Sequence, residues 1–161
     1  MDHVIEGDQP NLVVALHDNT ASSNGEDGFN LEGAEDNTVT NNTATKNGRD
    51  RFLLYFDSNA NSLTETVAQK NMRLGFGVAF SATGNVLQEN LAKQNSPAGF
   101  ALLGVGNTLT ENVSSGNGGF GFTDITEDGG TLGTGNTYTE NKCNGNKPGG
   151  SDPEGLCAPQ R

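Results

Sequence analysis

Tryptophan is absent from this chain of 161 residues, cysteine occurs twice, and only 9 lysines and arginines stand against 20 aspartates and glutamates. Each shortage excludes something. A net charge of -11 with a pI of about 4.4 repels polyanions over a Debye length, so neither nucleic acid nor an anionic membrane surface is an expected partner. No apolar run approaches the ~18 residues of a membrane span, and Met1 to Pro10 has neither the basic start nor the apolar stretch of a signal peptide. Membrane insertion is therefore not expected. Leu, Ile, Val and Phe number only 14, 2, 9 and 8, which leaves too little apolar material for an ordinary globule. In their place stand 23 glycines and 21 asparagines, residues of turns and left-handed bends, which excludes a mainly helical protein.

A regular repeat can fold such a composition, and one is present. Aligned on Asn37, Asn61, Asn85, Asn107 and Asn136, the chain repeats with spacings of 24, 24, 22 and 29 residues. A second column, five residues on, reads Asn19, Asn42, Thr66, Asn90, Asn112 and Asn141. A third, ten residues on, reads Asn24, Asn47, Asn71, Asn95, Asn117 and Asn146. Between them run Leu16, Val39, Leu63, Leu87, Leu109 and Tyr138, and then Ala44, Ala68, Ala92, Ser114 and Cys143. A further pair of columns is expected from Phe29, Phe52, Phe76, Phe100 and Phe120, with Leu31, Leu54, Val78, Leu102 and Phe122 two residues later. Two-residue alternation marks strands, so each repeat should hold three short strands separated by Asn and Gly bends. Stacked ~4.8 Å apart, such coils form a parallel β-solenoid whose backbone bonds run between neighbouring coils. Asn71 and Asn95 are expected to be buried, with their amides bonded along the stack.

The stretches Asn37-Thr-Val-Thr-Asn-Asn-Thr-Ala, Asn107-Thr-Leu-Thr-Glu-Asn-Val and Asn136-Thr-Tyr-Thr-Glu-Asn resemble the right-handed parallel β-helix repeats of pectate-lyase-like and NosD-like proteins. The resemblance covers roughly residues 12 to 146. It implies an all-β fold, a right-handed parallel β-helix of about five to six coils of 22 to 24 residues with one longer coil. It does not choose among lyases, hydrolases, epimerases and non-enzymatic surface proteins. The chain reads as a single domain, with 1–15 as an N-terminal cap or partial coil, 16–146 as coils and 147–161 as a C-terminal capping tail. Pro148, Pro153 and Pro159 should keep that tail from continuing the ladder. Cys143 and Cys157 allow one intrachain disulfide, which would fold the tail over the open end; the alternative is two buried thiols. A disulfide would imply an extracellular, cell-surface or periplasmic location.

Candidate sites are few. Glu65, Glu89, Glu111 and Glu140 form a column beside the second bend, and stacked carboxylates repel by about 1 kcal/mol per pair even in water. Either the edge is simply solvated or it collects Ca²⁺. The longest repeat carries an insertion whose Asp124, Glu127 and Asp128 are a second candidate for Ca²⁺, against a solvated acidic loop. No other cofactor is suggested. Asp50, Arg51 and Asp57 are a weak acid and base grouping, and His3 and His17 stand alone. Thr38 and Thr40, Thr108 and Thr110, and Thr137 and Thr139 give a Thr-x-Thr face that suits strands and is interrupted by Ser62, Val86 and Gln88. Tyr55 is the aromatic that alternation points outward. The expected function is a non-catalytic module for surface, adhesion or assembly roles, with a protein partner or self-association through the N-terminal coil edge or a flat face. A glycan ligand, or a carbohydrate-active domain of lyase, hydrolase or epimerase type, is the alternative.

Overall fold

The computed structural model describes the backbone of residues 3–6 and all of residues 13–49 and 52–159. Strands of two to four residues stack into three parallel sheets of seven, six and seven strands. The first sheet contains His3–Glu6, Phe29–Glu32, Phe52–Tyr55, Phe76–Val78, Phe100–Leu102, Phe122–Asp124 and Ser151–Asp152. The second contains Ala15–His17, Thr38–Thr40, Ser62–Thr64, Val86–Gln88, Thr108–Thr110 and Thr137–Thr139. The third contains Thr20–Ser22, Thr43–Thr45, Val67–Gln69, Leu91–Lys93, Val113–Ser115, Lys142–Asn144 and Ala158–Pro159. The chain visits the sheets in turn and pairs each strand with its equivalent one coil away, so the fold is the parallel β-helix that the repeat implies.

Alternation places the core. Phe29, Phe52, Phe76, Phe100 and Phe122 are buried, and their rings stack face to face with centroids 4.8, 5.0, 4.7 and 4.5 Å apart. Leu31, Leu54, Val78 and Leu102 line the column beside them, and Val39, Leu63, Leu87 and Leu109 face them from the second sheet. Small residues, Ala21, Ala44, Ala68 and Ala92, fill the third sheet's inner face.

Those corners follow one rule. The residue before a corner asparagine has positive φ in most coils, for instance Ala60 (56°), Glu65 (54°) and Lys70 (54°) in one turn of the helix. A left-handed residue swings the chain through the bend and takes the next N–H out of the strand ladder. The asparagine of the following coil supplies the missing acceptor. Asn61 Oδ1 accepts the Asn37 backbone N–H at 3.0 Å and the Asn37 amide at 3.0 Å, while its own amide donates to the Ala34 carbonyl at 2.7 Å and to Asn85 Oδ1 at 3.0 Å. At the second corner Thr66 fits the same role, donating both its N–H (2.9 Å) and its hydroxyl (2.6 Å) to Asn90 Oδ1.

Two expectations need correction. Phe120 does not belong to the phenylalanine column: Phe100 pairs with Phe122 and Leu102 with Asp124. The insertion begins only after this strand, so the 22-residue spacing of Asn95 to Asn117 carries through from Phe100 to Phe122. The proline-rich tail does not stop the ladder either. Ser151 and Asp152 pair with Phe122 and Thr123, and Ala158 and Pro159 pair with Lys142 and Cys143. Prolines are tolerated there because these are terminal strands, where a missing donor faces no further coil. Cys143 and Cys157 are joined, with Cα atoms 5.8 Å apart, which ties the tail to the third sheet.

Two substitutions test this packing. Phe76→Ala opens a gap in the middle of the stack and should lower stability by ~3 to 5 kcal/mol in a denaturant titration. Asn95→Ala removes the acceptor for the Asn71 amide (2.7 Å) and N–H (3.3 Å) and the donor to the Ala68 carbonyl (2.9 Å). Its melting temperature should fall, by the equivalent of ~1 to 3 kcal/mol or more; an unchanged value would show the asparagine stack to be ornamental.

Candidate functional site

The acidic residues singled out from the sequence do not assemble. Glu65, Glu89, Glu111 and Glu140 are all exposed and left-handed, with φ of 54 to 56°, and project from the second corner. Polar neighbours take up part of their charge: the Gln88 amide donates to Glu89 Oε1 at 3.1 Å and to Glu111 Oε2 at 3.5 Å. Lower in the same column Asp18 is held below the ordinary carboxylate range by hydrogen bonds from His17 and Asn41. Among the described residues no three His, Cys, Asp or Glu side chains converge as a metal site.

Asp124 departs from its expected place altogether. It ends a strand of the first sheet, points inward where the coils below carry leucine or valine, and is 5% exposed. Its carboxylate accepts four hydrogen bonds, from the Thr126 N–H (2.9 Å), the Thr126 hydroxyl (2.6 Å), the Asn136 amide (2.9 Å) and the Tyr138 hydroxyl (2.8 Å). Glu127 and Asp128 lie outside on the exposed insertion, so the three carboxylates do not converge. The insertion instead closes the end of the second sheet, where Thr131 Oγ1 accepts the Tyr138 backbone N–H at 2.9 Å. Burial, and then the charge of Asp124, push the Tyr138 hydroxyl well above the usual tyrosine range. A raised value in the folded state means that the neutral phenol stabilises the fold below the unfolded tyrosine pKa of about 10 and that this stabilisation is lost as pH rises beyond it. The wild type should therefore lose stability in denaturant titrations above about pH 10, and Tyr138→Phe should flatten that dependence.

Of the acid and base grouping, Asp50 and Arg51 lie outside the described residues, as does the His3 side chain; Asp57 is exposed in a turn, its N–H donating to Ser81 Oγ at 3.0 Å. His17 sits on the second sheet beside Asp18.

A different surface gathers chemistry. The outer face of the first sheet forms an open cleft of about 600 Å³. Its floor is formed by Asn30, Leu53 and Gly77 side by side on neighbouring strands. A Cβ at Gly77 would stand 3.1 Å from Leu53 Cδ1, so glycine lets that side chain lie flat across the floor. One wall carries Arg49 and Arg73, one coil apart on the bend that leads into the sheet. The Arg49 guanidinium pairs with Glu26 at 2.7 Å, Asp27 lines the cleft on the adjoining bend, and Glu32 lies in register with Tyr55 on the other side of the floor. The opposite wall carries Tyr55 and Phe80, 39% and 73% exposed, with Phe56 (54% exposed) at the rim beside Tyr55. Alternation identified Tyr55 alone. Phe56 and Phe80 were legible as a pair 24 residues apart, the coil period, but they lie just past the strands, where alternation no longer applies.

Residues 11–114 match the family model described as a right-handed β-helix region. A search of curated proteins gives no match. Among solved structures the chain is similar to a mutant of a periplasmic alginate epimerase, with a TM-score of 0.56 and 17% identity over 87% of this chain and 42% of that one. The likeness at that identity is one of fold, and the chain spans less than half of the epimerase's length.

Proposed function

Since this chain belongs to the family of right-handed β-helix proteins, we propose that it is a non-catalytic binding module that holds an extended acidic glycan along the cleft on its first sheet. The observation that carries this reading is the pairing of an arginine wall with an aromatic wall across one open floor. Arginine offers a planar fork of donors that suits carboxylate or sulfate groups, and aromatic rings suit the apolar faces of sugars. The cleft spans neighbouring coils ~4.8 Å apart, so Arg49 and Arg73, one coil apart, are spaced along it at a pitch of the same order as a sugar unit. The net charge of -11 opposes an acidic ligand at long range. Solution ions screen that repulsion beyond about 8 Å, so the contact sign is set locally by Arg73 and the Glu26-paired Arg49 against the carboxylates Asp27 and Glu32. The Cys143–Cys157 disulfide favours an extracellular or periplasmic setting, in keeping with the periplasmic neighbour.

Turnover is the second reading, favoured by the likeness to an alginate epimerase and by the carboxylates Asp27 and Glu32 in the lining of the same cleft. One experiment separates the two. The purified chain is titrated with polyuronate and with neutral oligosaccharides by calorimetry, and the polyuronate is then examined for cleavage and epimerisation. We expect polyuronate binding without conversion, weakened by about ten-fold in Arg73→Gln, as for the loss of one charge-assisted contact. Equal affinity for neutral sugars, or none for either, would overturn the acidic-glycan reading; conversion of the polymer would replace it with the enzymatic one.

A further inference from the structure

Phe56 occupies a position that the fold would fill better with another residue. Its φ is +38°, a left-handed backbone that disfavours side chains with a Cβ, and Asp57 follows at +47°. One coil earlier the equivalent position is Gly33, with φ of +57°, whose N–H donates to the Phe56 carbonyl at 2.7 Å. The turn is held from beneath by Ser58, whose hydroxyl reaches the Tyr55 carbonyl at 2.6 Å and accepts the Ala34 N–H at 3.3 Å. Its shape thus depends on the backbone and on Ser58, and the phenylalanine ring is not needed to make it. Other left-handed residues without glycine's freedom are polar or alanine, Leu132 in the insertion aside. Phe56 alone in the turns beside the cleft combines a left-handed backbone with a solvated aromatic ring, 54% exposed and in tilted contact with Tyr55 at 4.0 Å between centroids. Strain and apolar exposure both work against stability, and both are retained at the rim of the candidate site.

We infer that Phe56 is a ligand-stacking residue, which with Tyr55 and Phe80 extends the aromatic wall beyond the cleft and takes the C–H face of a pyranose ring in the bound glycan. The inference rests on the glycan reading of the cleft. The occupant is a sugar ring because the facing wall, Arg49 and Arg73, supplies charged donors for the polar edge of the same chain, while this wall offers ring faces with the Glu32 carboxylate beside Tyr55 as an acceptor for sugar hydroxyls.

The test exploits the opposite signs of the two effects. Phe56→Gly should leave the melting temperature unchanged or raised, because glycine accepts the left-handed backbone, and should weaken binding of a polyuronate oligomer by about five-fold or more. Phe56→Tyr, which keeps the ring, should restore most of the affinity. A lower melting temperature in Phe56→Gly with unchanged affinity makes the residue structural and overturns the inference. Loss of both stability and affinity without recovery in Phe56→Tyr overturns it as well. Wild-type binding that Phe56→Gly leaves intact sinks this inference and spares the glycan reading, whereas a wild type that binds no glycan sinks both.

Discussion

Every bend of this helix raises the same problem: a backbone N–H turned out of the ladder and into a dry corner. A sheet satisfies its own donors only while strands stay extended, and three bends per coil would bury three orphan donors in each turn of the stack. Each would cost ~1 to 3 kcal/mol, which a core of one phenylalanine, a few aliphatics and an alanine per coil could not support. The amide of asparagine answers the problem because it accepts and donates at once. Asn85 illustrates the exchange: its Oδ1 accepts the Asn61 N–H at 2.9 Å and its amide donates to the Ser58 carbonyl at 2.9 Å and to Asn107 Oδ1 at 3.0 Å. The composition follows from this constraint. Asparagine is abundant because bends are abundant, and aliphatic residues can be few because the interior between corners is only one side chain thick.

A ladder built this way has no natural end, since every coil offers the next one acceptors in register. At the C-terminal end the chain deals with each sheet separately. Ser151–Asp152 lies over the first, Ala158–Pro159 over the third, and the insertion of the longest repeat reaches across the second through Thr131. Leu156 is buried against the core beneath them, and the disulfide fixes the tail in place. Asp124 and Tyr138 replace the leucines of the preceding coils at this point. Their mutual hydrogen bond, with Asn136 and Thr126, lets a polar loop pass over the apolar stack without leaving buried groups unpaired.

Periodicity made most of the fold readable, and the limits of periodicity explain the misreadings. Columns repeated in several coils, such as the asparagines and Phe52, Phe76 and Phe100, locate strands and corners because chance cannot place one residue type in register so often. Periodicity fails where the period changes. Phe120 and Phe122 both lie near the expected spacing, and only the strand pairing shows that the insertion begins after Phe122, which moves Asp124 from a loop to the core. It is equally blind beyond the end of a strand. Arg49, Arg73, Phe56 and Phe80 occupy bends, where neither alternation nor a repeated core role marks a side chain's direction. Gathering them around one cleft is a three-dimensional fact that spacing alone does not contain.

The same geometry separates stability from function. Because like positions stack, each column has a fixed environment: inward columns are apolar, corner columns carry amides, and outward columns meet solvent. Charge is distributed column by column, with Glu65 to Glu140 on one corner, Lys46 and Lys70 on another, and Arg49 and Arg73 at the cleft together with Asp27 and Glu32. An overall charge of -11 therefore says little about the sign met by a ligand at any one face. Outward columns can change residue by residue with small cost to the stack, so a binding surface can be built on one sheet without disturbing the other two. Where such a column nevertheless holds a residue that the backbone disfavours, as at Phe56, the fold does not account for it, and a ligand across the cleft is the demand proposed for it.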